Sequence, residues 1–87
     1  MYILNLDKTT FVDTAHVAMI KIIPSVNSTY KIEALTESEY IAVLSTLKDK
    51  HLTQRMFNNL IARIRTKSSD YIDMQTIYDE EIRKVGD

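Results

Sequence analysis

Alternating apolar and polar positions in the first half of the chain predict β-strands. Residues 1–6 alternate with a period of two, and the polar run at residues 7–10 ends the pattern. Residues 11–23 are rich in β-branched side chains, which favour strands because their χ1 rotamers are already restricted. We expect this second strand to end at Pro24. Residues 30–34 alternate again after a polar turn and predict a third strand.

The segment at residues 36–47 fits two structures. Thr36 followed by Glu39 forms a capping-box pattern that would open a helix over residues 37–47. Residues 40–47 combine an aromatic ring with β-branched and small hydroxyl side chains, a length and composition typical of a buried strand. We favour a fourth strand at 40–47 and keep the helix as the alternative.

An apolar stripe with a four-residue period predicts an amphipathic helix at residues 50–66. The stripe consists of Leu52, Met56, Leu60 and Ile64. Asp49 is the candidate N-cap of this helix, and Ser68 and Ser69 are expected to end it.

The last segment predicts a C-terminal helix at residues 70–85, with an extended segment as the alternative. Apolar side chains recur there every three or four positions, at Tyr71, Met74, Tyr78, Ile82 and Val85. The run from Tyr71 to Met74 also alternates like a strand, so both interpretations stay open.

These elements predict one α+β domain over residues 1–87. A short antiparallel β-meander of three or four strands in residues 1–47 packs against the long amphipathic helix, and the C-terminal helical or extended segment follows. The second and fourth strands are apolar on both faces, whereas one helix covers only one face. We therefore expect the other face to be covered by the C-terminal segment, by a second copy or by a partner.

Three features resemble a known group of proteins. They are the opening at residues 3–12, a strand from Tyr40 to Thr46, and the helix that follows it at once. Over residues 1–66 the chain is similar to small uncharacterised phage and prophage proteins of Gram-positive bacteria. The resemblance implies a β-meander closed by a helix and carries no activity or catalytic residue. The chain departs from that pattern at residues 47–49, where an acidic helix opening is expected, and in its long tail at 70–87.

The amino-acid composition excludes several kinds of functional site. The chain has no cysteine for a disulfide or a thiolate metal site, and its single glycine, Gly86, rules out a glycine-rich phosphate loop. His16 is expected to be a structural residue, and His51 a polar surface residue. We therefore expect no enzyme, no catalytic residue, no metal and no cofactor. The sequence shows no signal peptide and no run of ~20 apolar residues, so we expect a cytoplasmic protein of the host cell without membrane contact.

The charge is uneven although the net charge is −1. Residues 48–67 carry +5 and residues 68–87 carry −4. The basic helix offers candidate contacts to nucleic-acid phosphates, at Arg55, Arg63, Arg65 and Lys67. The alternative is that these cations pair with the acidic tail inside the molecule or are simply solvated.

The leading hypothesis is a non-enzymatic interaction module of phage or mobile-element type that binds a protein partner and forms a homodimer. Its candidate contact surface lies in the acidic tail, at Tyr71, Asp73, Tyr78, Asp79, Glu80 and Glu81. Such side chains can imitate phosphates and bases, so the expected partner is a host defence nuclease such as a CRISPR effector, which the protein would inhibit. The alternative for the tyrosines is packing in the core. The alternative function is a nucleic-acid-binding accessory protein that uses the basic helix at 48–67.

Overall fold

The computed structural model describes residues 1–67 and 69–86 and has an α+β architecture. The strands are β1 (Tyr2–Leu4), β2 (Phe11–Asp13), β3 (Val17–Ser25), β4 (Thr29–Thr36), β5 (Ile41–Leu47) and β6 (Tyr71–Asp73). The helices are α1 (Lys50–Thr66) and α2 (Met74–Gly86). The predicted fold class is confirmed, because an antiparallel meander packs against a long amphipathic helix.

The strands form two three-stranded sheets. Strands β3, β4 and β5 form the antiparallel meander, in that order. Strands β2, β1 and β6 form a second sheet, here called the small sheet, in which β1 pairs antiparallel with β2 and parallel with β6. The first predicted strand therefore belongs to a sheet that the sequence pattern did not reveal, and the C-terminal segment completes that sheet.

The predicted strand at residues 11–23 is wrong in two respects. A 3₁₀ turn at Thr14–His16 divides it into β2 and β3, and the Asp13 carboxylate caps this turn by accepting a hydrogen bond from the Ala15 amide at 3.0 Å. The strand also does not stop at Pro24, since β3 continues to Ser25. Proline is tolerated there because β3 is an edge strand of the meander.

The strand predicted at residues 40–47 is confirmed, and the helical alternative is wrong. Thr36 caps a turn instead of a helix: its hydroxyl accepts a hydrogen bond from the Tyr40 amide at 3.1 Å, and its own amide donates to the Tyr40 carbonyl. Glu39 adopts a left-handed conformation with φ of 68° to close this turn. The polar run at 36–39 thus connects β4 to β5 directly.

Two register shifts send extra apolar side chains to one face of the meander. One lies between Val17 and Met19 on β3, and the other lies where β4 and β5 pair around Ile32. After the first shift Val17 packs against the core together with Ile20 and Ile22. The bulge inserts one residue and reverses the alternation beyond it, so Val17 packs on the same side as those two isoleucines.

Helix α1 has the predicted bounds. The Asp49 carboxylate accepts a hydrogen bond from the Leu52 amide at 3.0 Å and so confirms the predicted N-cap. The helix ends where Lys67 turns left-handed, with φ of 51°, and donates its amide to the Ile64 carbonyl. Ser68, one of the two predicted terminators, lies outside the described residues.

In the C-terminal segment the strand and the helix follow one another. Tyr71–Asp73 is extended and pairs with β1, after which the chain enters α2 at Met74. The Asp73 carboxylate accepts a hydrogen bond from the Gln75 amide at 2.8 Å, which satisfies one amide of the first helical turn. The side chain of Val85 lies outside the described residues.

Both sheets and both helices share one core. It consists of Ile3, Val12, Ile32, Ala34, Ala42, Leu44, Leu52, Met56, Leu60, Ile72, Met74 and Ile77. Because Ile3, Val12 and Ile72 fill the inner side of the small sheet, the neighbouring positions on its strands point outward. These outward-pointing positions on the small sheet form the candidate site.

Candidate interaction surface

The outer side of the small sheet carries a cluster of three aromatic rings. Tyr2 and Phe11 are stacked, with ring centroids 4.9 Å apart and an angle of 5° between the planes. Tyr71 lies against Phe11 at 5.8 Å with its ring tilted by 37°. The exposed fractions are 43% for Tyr2, 54% for Phe11 and 46% for Tyr71. We call these three residues the aromatic face.

Strand pairing fixes the aromatic face. Tyr2 stands opposite Tyr71 in the parallel pair of β1 and β6, and Leu4 stands opposite Phe11 in the antiparallel pair of β1 and β2. All four side chains therefore project to the same side of the sheet. The rings contact one another across strands that are separated in sequence, so the cluster forms only when the C-terminal segment docks.

A hollow continues the aromatic face toward the β4–β5 turn. It has a volume of about 310 Å³ and is lined by Phe11, Val12, Asp13, His16, Thr36, Ser38 and Tyr40. Phe11 belongs both to this hollow and to the aromatic face. Tyr40, which is 57% exposed, lines the hollow too. Because hydrogen bonds to Thr36 fix the Tyr40 backbone, this wall of the hollow is held in place.

The charge around the hollow is negative. Of the residues that the structure describes, Asp13 is the carboxylate that lines it, and no lysine or arginine does so. Glu37 and Glu39 are exposed next to the lining residue Ser38, and the Glu37 amide donates to the His16 carbonyl at 2.9 Å. On the aromatic face, Asp73 forms an ion pair with Lys8 at 3.3 Å. The surface thus combines aromatic rings with carboxylates.

The structure separates the six residues of the predicted acidic-tail surface into three pairs. Tyr71 and Asp73 lie on the outer side of the small sheet. Tyr78 is half-buried against the core, as the packing alternative expected, and Asp79 is exposed and accepts a hydrogen bond from Gln75. The remaining two predicted residues, Glu80 and Glu81, face α1.

Glu80 and Glu81 join α2 to α1. Arg63 donates to the Glu80 carboxylate at 2.6 Å, and Asn59 donates to both glutamates. The hydrogen bond from Arg63, and after it the one from Asn59, hold the pKa of Glu80 below its ordinary value. Burial raises the pKa of Glu81, but hydrogen bonds from Asn59 and Lys84 outweigh it, and the net pKa is also lowered.

The four predicted nucleic-acid-binding cations do not form one free surface. Arg63 pairs with Glu80, and Arg55 Nε lies 3.6 Å from the carboxylate of the buried Glu81. Arg65 and Lys67 are exposed at the C-terminal end of α1. Two of the four residues are therefore paired with the acidic tail inside the molecule, which is the alternative that the charge pattern allowed.

Neither histidine is joined to a carboxylate in the described part of the chain. His16, which was expected inside a strand, lies in the exposed 3₁₀ turn and lines the hollow. His51 is exposed in the first turn of α1. Among residues 1–67 and 69–86, no group of three or more histidine, aspartate or glutamate side chains is arranged to hold a metal ion.

Comparisons with known proteins identify no relative. No protein-family model matches the sequence, and no curated protein or solved structure is detectably similar to the chain. Within the described residues, none of the helices has the length and apolar character needed to cross a membrane. The site must therefore be interpreted from its own geometry.

The sequence prediction named Tyr71 and Asp73 among its contact residues and did not name Tyr2, Phe11 or Tyr40. The alternation of Tyr2, Ile3 and Leu4 contained part of the signal, since it places Tyr2 and Ile3 on opposite faces. The rest depends on the parallel pairing of β1 with β6. The paired residues lie 69 positions apart and β6 has only three residues, so no local sequence pattern indicates that the two strands pair.

Proposed function

We propose that this protein is a non-enzymatic interaction module that binds a protein partner through its aromatic face. The observation that supports the proposal is the exposure of the three packed rings, which are between 43% and 54% open to solvent. Tyrosine and other aromatic side chains bury large areas at low entropic cost, and they dominate the binding energy of many interfaces. An apolar cluster of this kind on a small protein marks a contact site.

The test is capture of the partner by full-length variants. Phe11→Ala and Tyr71→Ala remove rings from the aromatic face, whereas Val26→Ala truncates an even more exposed apolar side chain in the β3–β4 turn. We expect the protein and the Val26→Ala control to capture the same partner and the two ring variants to lose it. Capture that is equal for all four proteins would overturn the proposal, provided that circular dichroism shows each variant folded.

A narrower proposal is that the partner is a host defence nuclease, such as a CRISPR effector, which this phage-type protein inhibits. It is supported by the resemblance of residues 1–66 to phage proteins and by the carboxylates beside the aromatic rings, which can imitate the phosphates and bases of a nucleic acid. Addition of the protein to such a nuclease at equimolar concentration should abolish cleavage, and Phe11→Ala should restore it. Cleavage that persists at a large excess of the protein would contradict this identification.

We also propose that the protein forms a homodimer through the end of the meander at which β3 and β5 begin and β4 ends. Met19, Leu35 and Ile41 stand in register across β3, β4 and β5, and both Met19 and Ile41 are about half exposed. Light scattering should give about twice the 10.1 kDa of one chain, and Met19→Lys should return the mass to that of one chain. A single-chain mass at all concentrations would overturn the homodimer.

The geometry favours a protein partner over nucleic acid as the main ligand. Of the basic-helix residues, Arg55 and Arg63 are held by tail carboxylates, so Arg65 and Lys67 are the predicted contacts left exposed. Two phosphate contacts give weak, salt-sensitive binding. Gel shift of duplex and single-stranded DNA at ~50 mM salt should therefore show little retardation, and strong retardation that Arg65→Ala abolishes would favour the nucleic-acid function instead.

A further inference from the structure

The hollow beside the aromatic face is built from groups that attract a cation. Two aromatic side chains, Phe11 and Tyr40, line it, and the Asp13 carboxylate lies in its wall. A positive group is attracted both by the faces of aromatic rings and by a carboxylate at short range. Ring faces and carboxylates act together most strongly where surrounding side chains keep part of the water out.

Charge complementarity selects the occupant. Among the described residues no lysine or arginine lines the hollow, and Glu37 and Glu39 are exposed on either side of the lining residue Ser38. An anionic ligand would be repelled by all three carboxylates. A neutral apolar ligand would displace water from the Asp13 carboxylate and leave its charge uncompensated, since the only hydrogen bond described for that carboxylate comes from the Ala15 amide. A cationic side chain can lie against the ring faces and pair with a carboxylate at the same time.

We propose that the hollow between Phe11 and Tyr40 receives a cationic side chain, arginine in particular, from a basic segment of the protein partner. This inference rests on the proposed function, because the rest of that segment would lie across the aromatic face. Arginine fits best, since its planar guanidinium stacks on rings while donating hydrogen bonds to a carboxylate. The volume of about 310 Å³ is at the lower end of ligand pockets, which suits the end of one side chain.

The residues that line the hollow define the variants. Asp13→Asn removes the charge but keeps an oxygen that can accept the Ala15 amide, so the 3₁₀ turn remains capped. Tyr40→Ala and Phe11→Ala remove the two ring walls. Val26→Ala again serves as the matched exposed control, because it lies in the β3–β4 turn and does not line the hollow.

The experiment selects peptides from a displayed random library on the full chain and on each variant. We expect the peptides recovered on the protein and on Val26→Ala to be enriched in arginine next to apolar residues. Recovery should fail on Tyr40→Ala and Phe11→Ala. In synthetic copies of the recovered peptides, replacement of arginine by citrulline, which has the same shape without the charge, should weaken binding roughly tenfold. Asp13→Asn should weaken the arginine peptides and leave the citrulline peptides unchanged.

The outcomes separate this inference from the function it rests on. Peptides without basic residues that still depend on Phe11 would overturn the inference and support the protein-binding function. Peptides that ignore both Phe11 and Tyr40 would contradict both, as would an absence of enriched peptides combined with unchanged partner capture by Phe11→Ala. Binding of oligothymidine that requires Phe11 and Tyr40 would overturn the inference in favour of single-stranded nucleic acid.

Discussion

At the scale of single residues, Asn5 does more for the fold than its place at the end of a short strand suggests. It is 4% exposed, and its side-chain oxygen accepts hydrogen bonds from the Thr9 and Thr10 amides at 2.8 and 2.9 Å. Its amide nitrogen donates to the Thr9 hydroxyl and to the Val43 carbonyl. One buried side chain thus shapes the β1–β2 loop and ties it to β5.

We expect Asn5→Ala to destabilise the protein by about 1–3 kcal/mol, because the Thr9 and Thr10 amides would lose their acceptor in a partly buried loop. Urea denaturation followed by circular dichroism measures the loss. The matched control is Asn58→Ala, an exposed position of α1 whose side chain contacts Gln54. An equal, small change in both variants would show that the Asn5 network adds nothing beyond a surface contact.

The sequence did not identify Asn5 or the hollow, for the same physical reason. The pattern of residues 1–6 reveals a strand and its faces, but the Val43 carbonyl that Asn5 contacts lies 38 residues away. Tyr40 likewise meets Phe11 across a cavity between two hairpins. Asp49 is the opposite case: its cap reaches three residues ahead, so the local pattern was sufficient to predict it.

At the scale of elements, α1 and α2 are held together by a clamp of charged and amide side chains as well as by apolar packing. The clamp consists of Arg63 with Glu80, Arg55 with Glu81, and Asn59 between the two glutamates. Through this clamp, part of the basic helix neutralises part of the acidic tail. The clamp also makes the contact between helices sensitive to pH.

The hydrogen bond from Arg63 sets the direction of that sensitivity by holding the pKa of Glu80 below its ordinary value of 4.5. Since the folded pKa lies below the unfolded one, the contact adds its full stability above about pH 4.5 and loses it as the pH falls through the folded pKa. Glu80→Gln should cost about 0.5–1 kcal/mol at pH 7, because the pair is partly exposed, and it should flatten the acid limb of the stability curve.

Thermal unfolding at intervals between pH 7 and pH 3 measures this effect. Glu37→Gln, which changes an exposed carboxylate of the β4–β5 turn, is the matched control and should keep the acid limb of the original protein. An acid limb that Glu80→Gln leaves as steep as before would show that other carboxylates govern the acid response.

Element prediction succeeded where the pattern was long and failed where a single residue changed the alternation. Helix α1 spans more than four turns, most of them marked by its apolar stripe, and its predicted bounds hold. The segment at 11–23 contains a turn and a bulge within a continuous β-branched run, so a pattern of period two could not divide it. The bulge also accounts for part of the apolar excess on β3, because it returns Val17 to the core face.

At the scale of the whole molecule, the tail is part of the fold and also completes the candidate site. Ile72, Met74 and Ile77 are at most 1% exposed, and Tyr71 supplies the third ring of the aromatic face. The outer surface of the small sheet gains its third strand because the chain returns to pair with β1.

We therefore expect Ile77→Ala to destabilise the protein by about 2–5 kcal/mol, whereas Ile82→Ala, on an exposed position of the same helix, should stay within ~0.5 kcal/mol. A domain of this size has only about 5–15 kcal/mol in total, so a chain truncated after Ser69 should be unfolded by circular dichroism and amide exchange. If the truncated chain kept dispersed, protected amides, the small sheet would be stable without β6. Tyr2 and Phe11 could then stack without the tail, and β6 would supply only the third ring of the aromatic face.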